Sequence, residues 1–231
     1  MLDWFGGAKR ELETDLTLSA ASPPVAGAAA ARASAEGFRF LKLKVGTGPA
    51  QDIRRALAVR DSAPGAKLIL DGNQGLDASQ ALRLAEQCAK RGLRVVLFEQ
   101  PLQRDDLQGM AWLRRRSPFP IAADESVRSA REAFQVLDRE AADVINVKIA
   151  KTGLQESLEI VSLAKAAGKR LMIGCMRESL RGLAASAHLA CGTGAFDFVD
   201  LDSDHLLAGA APTAEFVRSG PILRFCGRPT R

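Results

Sequence analysis

The amino-acid sequence predicts an α/β fold, a (β/α)7β TIM-like barrel, on three observations. Short apolar runs rich in β-branched residues alternate with segments of helical pattern, which is typical of βα units around a parallel sheet. Eight such runs are joined by seven helical segments, a number that favours a closed barrel over an open sheet. No GxGxxG motif follows the first run, as it would in a dinucleotide-binding open sheet.

The predicted strands are the apolar runs themselves. Each run is short and mostly apolar, which is typical of strands that are covered on both faces of a parallel sheet. At 231 residues, the chain has the size of one such barrel. The eight predicted strands lie at residues 16–18, 40–45, 67–70, 95–98, 121–123, 144–149, 171–173 and 196–201.

Seven helical segments separate these strands, and several have recognisable ends. Asp77 is a suitable N-cap for the third helix, and Gly92 is a suitable C-cap. Ser129, with Glu132 three residues later, has the pattern of a capping box that opens the fifth helix. The predicted segments are 24–35, 51–61, 78–91, 105–116, one opened by Ser129, 154–167 ending at Gly168, and 180–190 ending at Gly192.

Composition and charge bear on location and partners. No apolar run approaches the roughly 20 residues that span a bilayer, and the N-terminus lacks the layout of a signal peptide. Four widely spaced cysteines, without a CxxC or a His/Cys cluster, are interpreted as buried thiols in a reducing cytoplasm. The densest basic run, residues 114–116, falls at a predicted helix end. We therefore expect a cytoplasmic protein that contacts neither membrane nor nucleic acid.

Polar side chains recur at the carboxyl ends of the predicted strands, where barrels of this kind carry their active sites. Glu99 follows Asp71 by 28 residues, and Asp124 follows Glu99 by 25, about one βα unit each. Charged residues that recur once per βα unit, always at the same end of the strand, lie around a single rim of the barrel. Randomly placed surface charges would not show this regular spacing. The residues at these strand ends are Lys42, Lys44, Asp71, Asn73, Glu99, Asp124, Glu125, Asn146, Lys148, Asp200 and Asp202.

Three carboxylates on consecutive predicted strands indicate a metal site. Asp71, Glu99 and Asp124 can converge on one point because they end neighbouring strands of the same barrel. No histidine or cysteine accompanies them, and an all-oxygen ligand set suits a hard cation. The sequence therefore predicts that these three residues bind one Mg²⁺.

Lysines on opposite sides of this site predict proton transfer. Lys42 and Lys44 are two residues apart on one strand, so both point inward, and the charge of Lys42 favours the neutral, basic form of Lys44. Lys148 lies four strands further on, across the barrel. One lysine would remove a proton beside a substrate carboxylate and the other would return it on the opposite face, while the metal stabilises the enediolate. Lys151 is interpreted as peripheral.

This set of residues resembles the muconate-lactonizing-enzyme subgroup of the enolase superfamily over about residues 4 to 228. The KxK motif at 42–44, the three carboxylates and the late lysine match that subgroup. Asp200-Leu201-Asp202 on the last strand is similar to the DxD motif of the dipeptide epimerases, which include L-Ala-D/L-Glu epimerase. The resemblance implies the superfamily's C-terminal barrel and Mg²⁺-dependent epimerisation of dipeptides of the L-Ala-D/L-Glu type.

The resemblance also implies roles for the other polar residues. In that family the two carboxylates of the DxD motif bind the free α-ammonium group of the dipeptide, which assigns Asp200 and Asp202 to substrate binding. The side chains beside the metal ligands are expected to orient and support them. These supporting residues are Lys42, Asn73, Glu125 and Asn146. A small-molecule dipeptide is the expected partner.

The start of the chain and the subgroup's chemistry leave alternatives open. The o-succinylbenzoate synthases, N-acylamino-acid racemases and cycloisomerases of the subgroup use the same metal and lysines.

Family members carry an α+β capping domain before the barrel, and because Met1 falls just before the first strand we expect that cap to be missing. The barrel is then residues 1–210, and residues 211–231 form a tail that would pack on the cap. We expect the exposed surface to favour a homo-oligomer, and a barrel inactive without its cap is the second alternative.

Overall fold

Eight parallel strands stand side by side in chain order and form the (β/α)7β barrel that the sequence predicts. This computed structural model describes residues 2–206 and 215–225. A short strand outside the barrel, β1 (Glu11–Glu13), comes first. The barrel strands are β2 (Leu16–Leu18), β3 (Phe40–Lys44), β4 (Lys67–Asp71), β5 (Val95–Glu99), β6 (Ile121–Ala123), β7 (Val144–Val147), β8 (Arg170–Gly174) and β9 (Phe198–Asp200).

Helices connect these strands and pack around the outside of the barrel. Asp77 caps the third helix and forms a reciprocal capping box with Gln80. Ser129 accepts the Glu132 N–H, but the Glu132 carboxylate accepts the N–H of Arg128, so the box predicted there is only half formed. The helices are α1 (Pro23–Ala35), α2 (Pro49–Ser62), α3 (Ala78–Lys90), α4 (Leu107–Arg114), α5 (Ala130–Asp138), α6 (Ile149–Ala166) and α7 (Leu180–Thr193).

The junction between β7 and α6 differs from the sequence prediction. The strand ends at Val147 and not at Ile149, because the chain turns at Lys148, whose carbonyl accepts the N–H of Lys151. Gly153, with a φ of 70°, then interrupts α6 after its first turn. Lys148 is thereby presented at the mouth of the barrel, between a strand and a helix.

The end of α7 also lies beyond the predicted position. The helix runs to Thr193 and ends at Gly194, which has a φ of 60°, and not at Gly192. A Cβ atom at Gly192 would lie 2.3 Å from the Cβ of Phe5, so this glycine permits close packing and does not end the helix. The N-terminal turn that contains Phe5 covers the helix at this point.

An apolar layer fills the barrel beneath the polar strand ends. Ile69, Leu97, Ala122, Val144 and Met172 come from five consecutive strands and pack together there, each at most 1% exposed. A larger core lies between the strands and the helices. Burial of each large aliphatic side chain stabilises the fold by about 1.5–3 kcal/mol. The polar side chains at the strand ends therefore lie above a packed apolar layer.

The barrel closes at the seam between β2 and β9 without a regular ladder of hydrogen bonds. The Asp15 N–H donates to the Val199 carbonyl at 3.0 Å, and the Leu201 N–H donates to the Thr14 hydroxyl oxygen at 2.8 Å. The sequence predicts a closed barrel with no sheet edge. Because the two terminal strands are only three residues long, a side chain replaces part of the backbone pairing at this edge.

A small antiparallel sheet lies outside the barrel. The hairpin of β10 (Phe216–Ser219) and β11 (Ile222–Phe225) pairs with β1, so this part of the predicted tail contacts the chain's own N-terminal segment. His188 of α7 packs on Phe225, with 4.2 Å between ring centroids. The predicted boundary at residue 210 lies outside the described residues, and packing of residues 211–231 on a capping domain stays a prediction.

Within the described residues, no helix is both long enough and apolar enough to cross a bilayer. Cys88, Cys175 and Cys191 are free thiols. Cys226 lies outside the described residues.

Candidate active site

A cavity of about 560 Å³ opens at the carboxyl ends of the barrel strands. Eight of the eleven predicted site residues line it, and Asp71, Glu99 and Asn146 are buried behind them. The eight are Lys42, Lys44, Asn73, Asp124, Glu125, Lys148, Asp200 and Asp202. The barrel thus gathers all of the predicted side chains around one opening.

The three predicted metal ligands end adjacent strands. Asp71 and Glu99 are paired residues of β4 and β5, and Asp124 follows β6 directly. Burial raises the pKa of Glu99 to about 8. Burial also opposes the charge on Asp71, but nearby lysines outweigh it, and the pKa of Asp71 falls below its ordinary value. The pKa values of these two neighbouring carboxylates are therefore shifted in opposite directions.

The Lys42 ammonium lies at the centre of a buried group of carboxylates. Its Nζ lies 3.2 Å from Asp71 Oδ2, 2.8 Å from Glu99 Oε2 and 2.7 Å from Asp200 Oδ2. Burial works against its charge, but these partners outweigh it and raise the pKa of Lys42 well above its ordinary value. The effect of this charge on Lys44 stays a prediction.

Lys44 and Lys148, the predicted proton-transfer residues, each hold one of the carboxylates predicted to bind the metal. Lys44 Nζ lies 2.7 Å from Asp71 Oδ2, and Lys148 Nζ lies 2.7 Å from Asp124 Oδ2. Burial opposes the charge on Lys148, but Asp124 outweighs it and raises the pKa of Lys148. β3 and β7, which present these lysines, are four strands apart around the barrel, as predicted.

Lys151 belongs to the site, and its interpretation as peripheral is wrong. Its Nζ donates to Asp124 Oδ1 at 2.6 Å, to the Asp124 carbonyl at 2.7 Å and to the Asn146 carbonyl at 3.1 Å. Because Lys151 lies one helical turn after Lys148, both lysines reach the same carboxylate. The three-residue spacing of the two lysines in KIAK is the signal for this in the sequence, although Lys151 itself follows the strand end.

Amide side chains support the carboxylates. Asn146 Nδ2 donates to Glu99 Oε1 at 2.8 Å. Asn73 accepts a short hydrogen bond from Lys44 and donates through its Nδ2 to Glu125 Oε1 at 3.2 Å. A Cβ atom at Gly174 would lie 2.7 Å from both Asn146 Oδ1 and Lys148 Cε, so only glycine leaves room for these side chains.

Gln100, which the sequence reading missed, fixes the loop that carries Asp124. Its buried Oε1 accepts the N–H of Asp124 at 2.9 Å and the N–H of Ser126 at 3.2 Å. Its Nε2 donates to the Leu102 carbonyl at 3.0 Å. FEQP offered the signal, because Gln100 is a polar residue directly after a buried strand.

The two aspartates of the last strand form the opposite wall of the cavity. Asp200 is held by Lys42, and Asp202 Oδ2 accepts the Thr17 N–H at 2.7 Å. Burial and the neighbouring Asp200 raise the pKa of Asp202. Cys175 Sγ lies 3.8 Å from Asp202 Oδ1, and burial raises the pKa of its thiol to about 12. This wall is anionic and suits a small cation.

Asp15 lies buried beside this wall and was not predicted as a site residue. It is 1% exposed, and neither of its carboxylate oxygens has a hydrogen-bond partner. Burial raises the pKa of Asp15 well above its ordinary value, and the charges of Asp200 and Asp202 raise it further. Burial without a hydrogen-bond partner therefore favours the neutral form of this carboxyl over its charged form.

The residues present fit a hard divalent cation. Asp71, Glu99 and Asp124 offer only oxygen atoms, and Glu99 Oε2 is buried without a hydrogen bond, although Lys42 Nζ lies near it. Within residues 2–206 and 215–225, the ligand atoms that lie within 4.8 Å of one another are those of Cys175, Asp200 and Asp202. That set contains a thiol whose pKa burial raises to about 12, and sulfur is a poor ligand for a hard cation, so the oxygen-only set is the better metal site.

A buried ion pair anchors the end of β3, which carries Lys44. Arg55 donates to Asp52 at 2.8 Å, to the Lys44 carbonyl at 3.0 Å and to the Ala21 carbonyl at 2.8 Å. Asp52 in turn accepts backbone N–H groups of the loop that follows β3, including that of Gly46 at 2.9 Å. Arg55 is 1% exposed and Asp52 is fully buried, so this network is part of the frame of the site.

The chain is similar to known dipeptide epimerases in sequence and in fold. L-Ala-D/L-Glu epimerase of Thermotoga maritima is 38% identical over 220 residues, which are 95% of this chain and 64% of that protein. A substrate-liganded complex of L-Ala-D/L-Glu epimerase from Bacillus subtilis superposes with a TM-score of 0.95 at 35% identity, over 99% of this chain and 64% of that one. Dipeptide epimerase from Enterococcus faecalis V583, complexed with Mg and the dipeptide L-Leu-L-Tyr, superposes with a TM-score of 0.93 at 34% identity. The superposition covers 97% of this chain and 64% of that one.

These matches extend over nearly all of the present sequence. The chain spans less than two thirds of the length of each of these relatives. A family model described as enolase C-terminal domain-like matches residues 25–222. The resemblance drawn from the strand-end residues is confirmed, and the chain belongs to the enolase C-terminal domain-like family.

Proposed function

We propose that this chain is the catalytic barrel of a Mg²⁺-dependent dipeptide epimerase of the L-Ala-D/L-Glu type. The observation that carries the proposal is the placement of two lysines on one rim, four strands apart. Lys44 ends β3 and Lys148 follows β7, with the carboxylates of the intervening strands between them. The relative from Thermotoga maritima, an L-Ala-D/L-Glu epimerase, supports the choice of reaction.

Asp71, Glu99 and Asp124 are the proposed ligands of Mg²⁺. Bound there, the metal would hold the substrate carboxylate and stabilise negative charge on it. The Enterococcus faecalis epimerase complexed with Mg supports this choice of cation. Each of these clustered carboxylates lies beside a lysine ammonium group, so the site has an anionic charge that a divalent cation can share.

The chain's own residues account for the proton movement. Lys44 and Lys148 face the cavity from opposite sides, so the lysine that is a neutral amine can take the α-proton while the lysine that is an ammonium returns a proton to the other face. Hydrogen bonds to Asp71 and to Asp124 fix the positions of the two side-chain nitrogens. Fixed groups on both faces are what inversion of one carbon requires.

Asp200 and Asp202 are proposed to bind the α-ammonium group of the substrate. Their wall of the cavity is anionic, and the Thr17 N–H holds Asp202 in place. The competing reactions of the subgroup act on substrates without a free ammonium group, which would leave two aspartates unmatched. This wall therefore favours dipeptide epimerisation over N-acylamino-acid racemisation, o-succinylbenzoate synthesis and cycloisomerisation.

The test is proton exchange and epimerisation in D₂O. L-Ala-L-Glu and L-Ala-D-Glu are incubated separately with the chain and Mg²⁺, and NMR follows loss of the α-proton and the appearance of the other epimer. The same assay is run with a version extended upstream by a capping domain. Deuterium incorporation into either epimer supports the proposal. No exchange with either protein, with N-succinyl amino acids turned over instead, would overturn it in favour of the racemase alternative.

Cytoplasmic location and a homo-oligomeric state belong to the same proposal. The free thiols of Cys88, Cys175 and Cys191 are consistent with a reducing compartment. Light scattering coupled to gel filtration measures the oligomeric state directly. A barrel that needs a cap for turnover would exchange protons only in the extended version, which the assay above distinguishes.

A further inference from the structure

One buried ammonium group connects the two halves of the cavity. Lys42 Nζ contacts Asp71 and Glu99, the proposed metal ligands, and also Asp200, a proposed ligand of the substrate ammonium. Lys42 is only 3% exposed, so solvent does not screen these contacts. Three carboxylates from β4, β5 and β9 thus share one positive charge.

We infer that Lys42 is a positioning residue that couples Mg²⁺ binding to the ammonium-binding wall. The inference rests on the proposed function, because that function assigns Asp71 and Glu99 to the metal and Asp200 to the ammonium group. Lys42 stands within hydrogen-bond distance of both sides. A change in the charge on one side therefore changes how strongly Lys42 acts on the other.

The direction of the coupling follows from the charges. Asp200 draws the Lys42 ammonium toward β9 and away from the metal carboxylates. Without that carboxylate, the full charge of Lys42 acts on Asp71 and Glu99, where it competes with the metal and repels it. Loss of Asp200, which is not a proposed metal ligand, should therefore weaken Mg²⁺ binding.

Asp202 offers a matched control. It belongs to the same wall and lies two residues after Asp200, but it is held by the Thr17 N–H and forms no ion pair with Lys42 among the described residues. The substitution Asp202→Asn removes the same charge without removing the contact. The difference between the two variants isolates the role of Lys42.

The experiment is a cycle of Mg²⁺ titrations by calorimetry, with no substrate present. The proteins are the wild type, Asp200→Asn, Asp202→Asn, Lys42→Met and the double variant Lys42→Met/Asp200→Asn, each checked for folding by circular dichroism. Asp200→Asn should raise the Kd for Mg²⁺ by about 5-fold or more, which is the lower end of ordinary coupling between sites. Asp202→Asn should change it by less than about 2-fold, and so should Asp200→Asn in the Lys42→Met background.

Each outcome decides the matter. Equal effects of Asp200→Asn and Asp202→Asn, or an effect of Asp200→Asn that persists without Lys42, would overturn the coupling while leaving the proposed function intact. A wild-type protein that binds no Mg²⁺ overturns the proposed function itself. If Lys42→Met does not fold, the comparison of the two aspartate variants remains decisive, and Lys42→Arg should then retain the difference between them.

Discussion

Lys148 donates to Asp124 in the same way that Lys44 donates to Asp71, with 2.7 Å between nitrogen and oxygen in each pair. The two lysines that would move the proton are therefore each bonded to one of the outer two carboxylates of the proposed metal site. This arrangement holds both ammonium groups at fixed positions on opposite sides of the cavity. It also means that each lysine can be removed separately while the other keeps its position.

Replacing Lys148 should separate exchange from epimerisation. In Lys148→Ala, Lys44 still reaches one face of the α-carbon, so one epimer should exchange its α-proton with D₂O while conversion to the other epimer is lost. NMR on each epimer separately measures both events. Lys44→Ala is the matched variant and should show exchange with the opposite epimer only. Full epimerase activity in Lys148→Ala would contradict the two-base proposal.

Magnesium should stabilise the fold through Asp71. At a concentration about 100 times its Kd, a ligand that binds only the folded state adds about 2.7 kcal/mol to the free energy of unfolding. Asp71→Asn should lose most of this gain in urea unfolding with and without Mg²⁺. Asp77→Asn, the same change at an exposed helix cap, should keep it. Retention of the full gain in Asp71→Asn would show that the metal binds elsewhere.

A blocked amino terminus should prevent catalysis. The N-acetylated form of a dipeptide substrate leaves Asp200 and Asp202 without their cation, and an unmatched buried charge costs about 3–5 kcal/mol. The value of kcat/KM should fall by about 100-fold or more relative to the free dipeptide. Comparison of the two substrates on one protein preparation measures this. A preference for the acetylated substrate would assign the wall a different role.

Most of the barrel could be predicted from the sequence because its strands and rim repeat once per βα unit. Lys44, Asp71 and Asp124 were found through that period, and the structure brings them together. Lys151 and Gln100 were missed, because their contacts depend on the turn taken after a strand, which period alone does not specify. The hairpin of β10 and β11 was also missed, since its partner β1 lies about two hundred residues earlier and local pattern carries no sign of it.

The frame around Lys44 should be costly to disrupt. Arg55→Met leaves Asp52 buried without its cation, which should destabilise the protein by about 3–5 kcal/mol. Arg54→Met changes the neighbouring, exposed arginine and should cost little. Urea unfolding of both variants provides the comparison. Similar stabilities for the two would show that the buried pair contributes no net stabilisation.

The buried Asp15 carboxyl should make stability depend on pH. The folded protein raises the pKa of Asp15, so as the pH rises the unfolded chain loses this proton first and the folded state loses stability until the raised pKa is passed. Asp15→Asn cannot ionise, so its gain over the wild type should grow with pH to about 1–3 kcal/mol. Unfolding at about pH 5 and pH 8 measures this gain. An equal difference at both values would mean that Asp15 ionises normally.

The seam between β2 and β9 has a consequence for how the molecule matures. The Thr17 N–H reaches Asp202, and the Leu201 N–H reaches Thr14, across 185 and 187 residues of chain. Such contacts carry the largest loop-closure entropy, so they are expected to form late. A ribosome-bound chain that still lacks its last strand has no anionic wall. Under the proposed function, a dipeptide would therefore stabilise finished barrels selectively and leave incomplete chains to proteolysis.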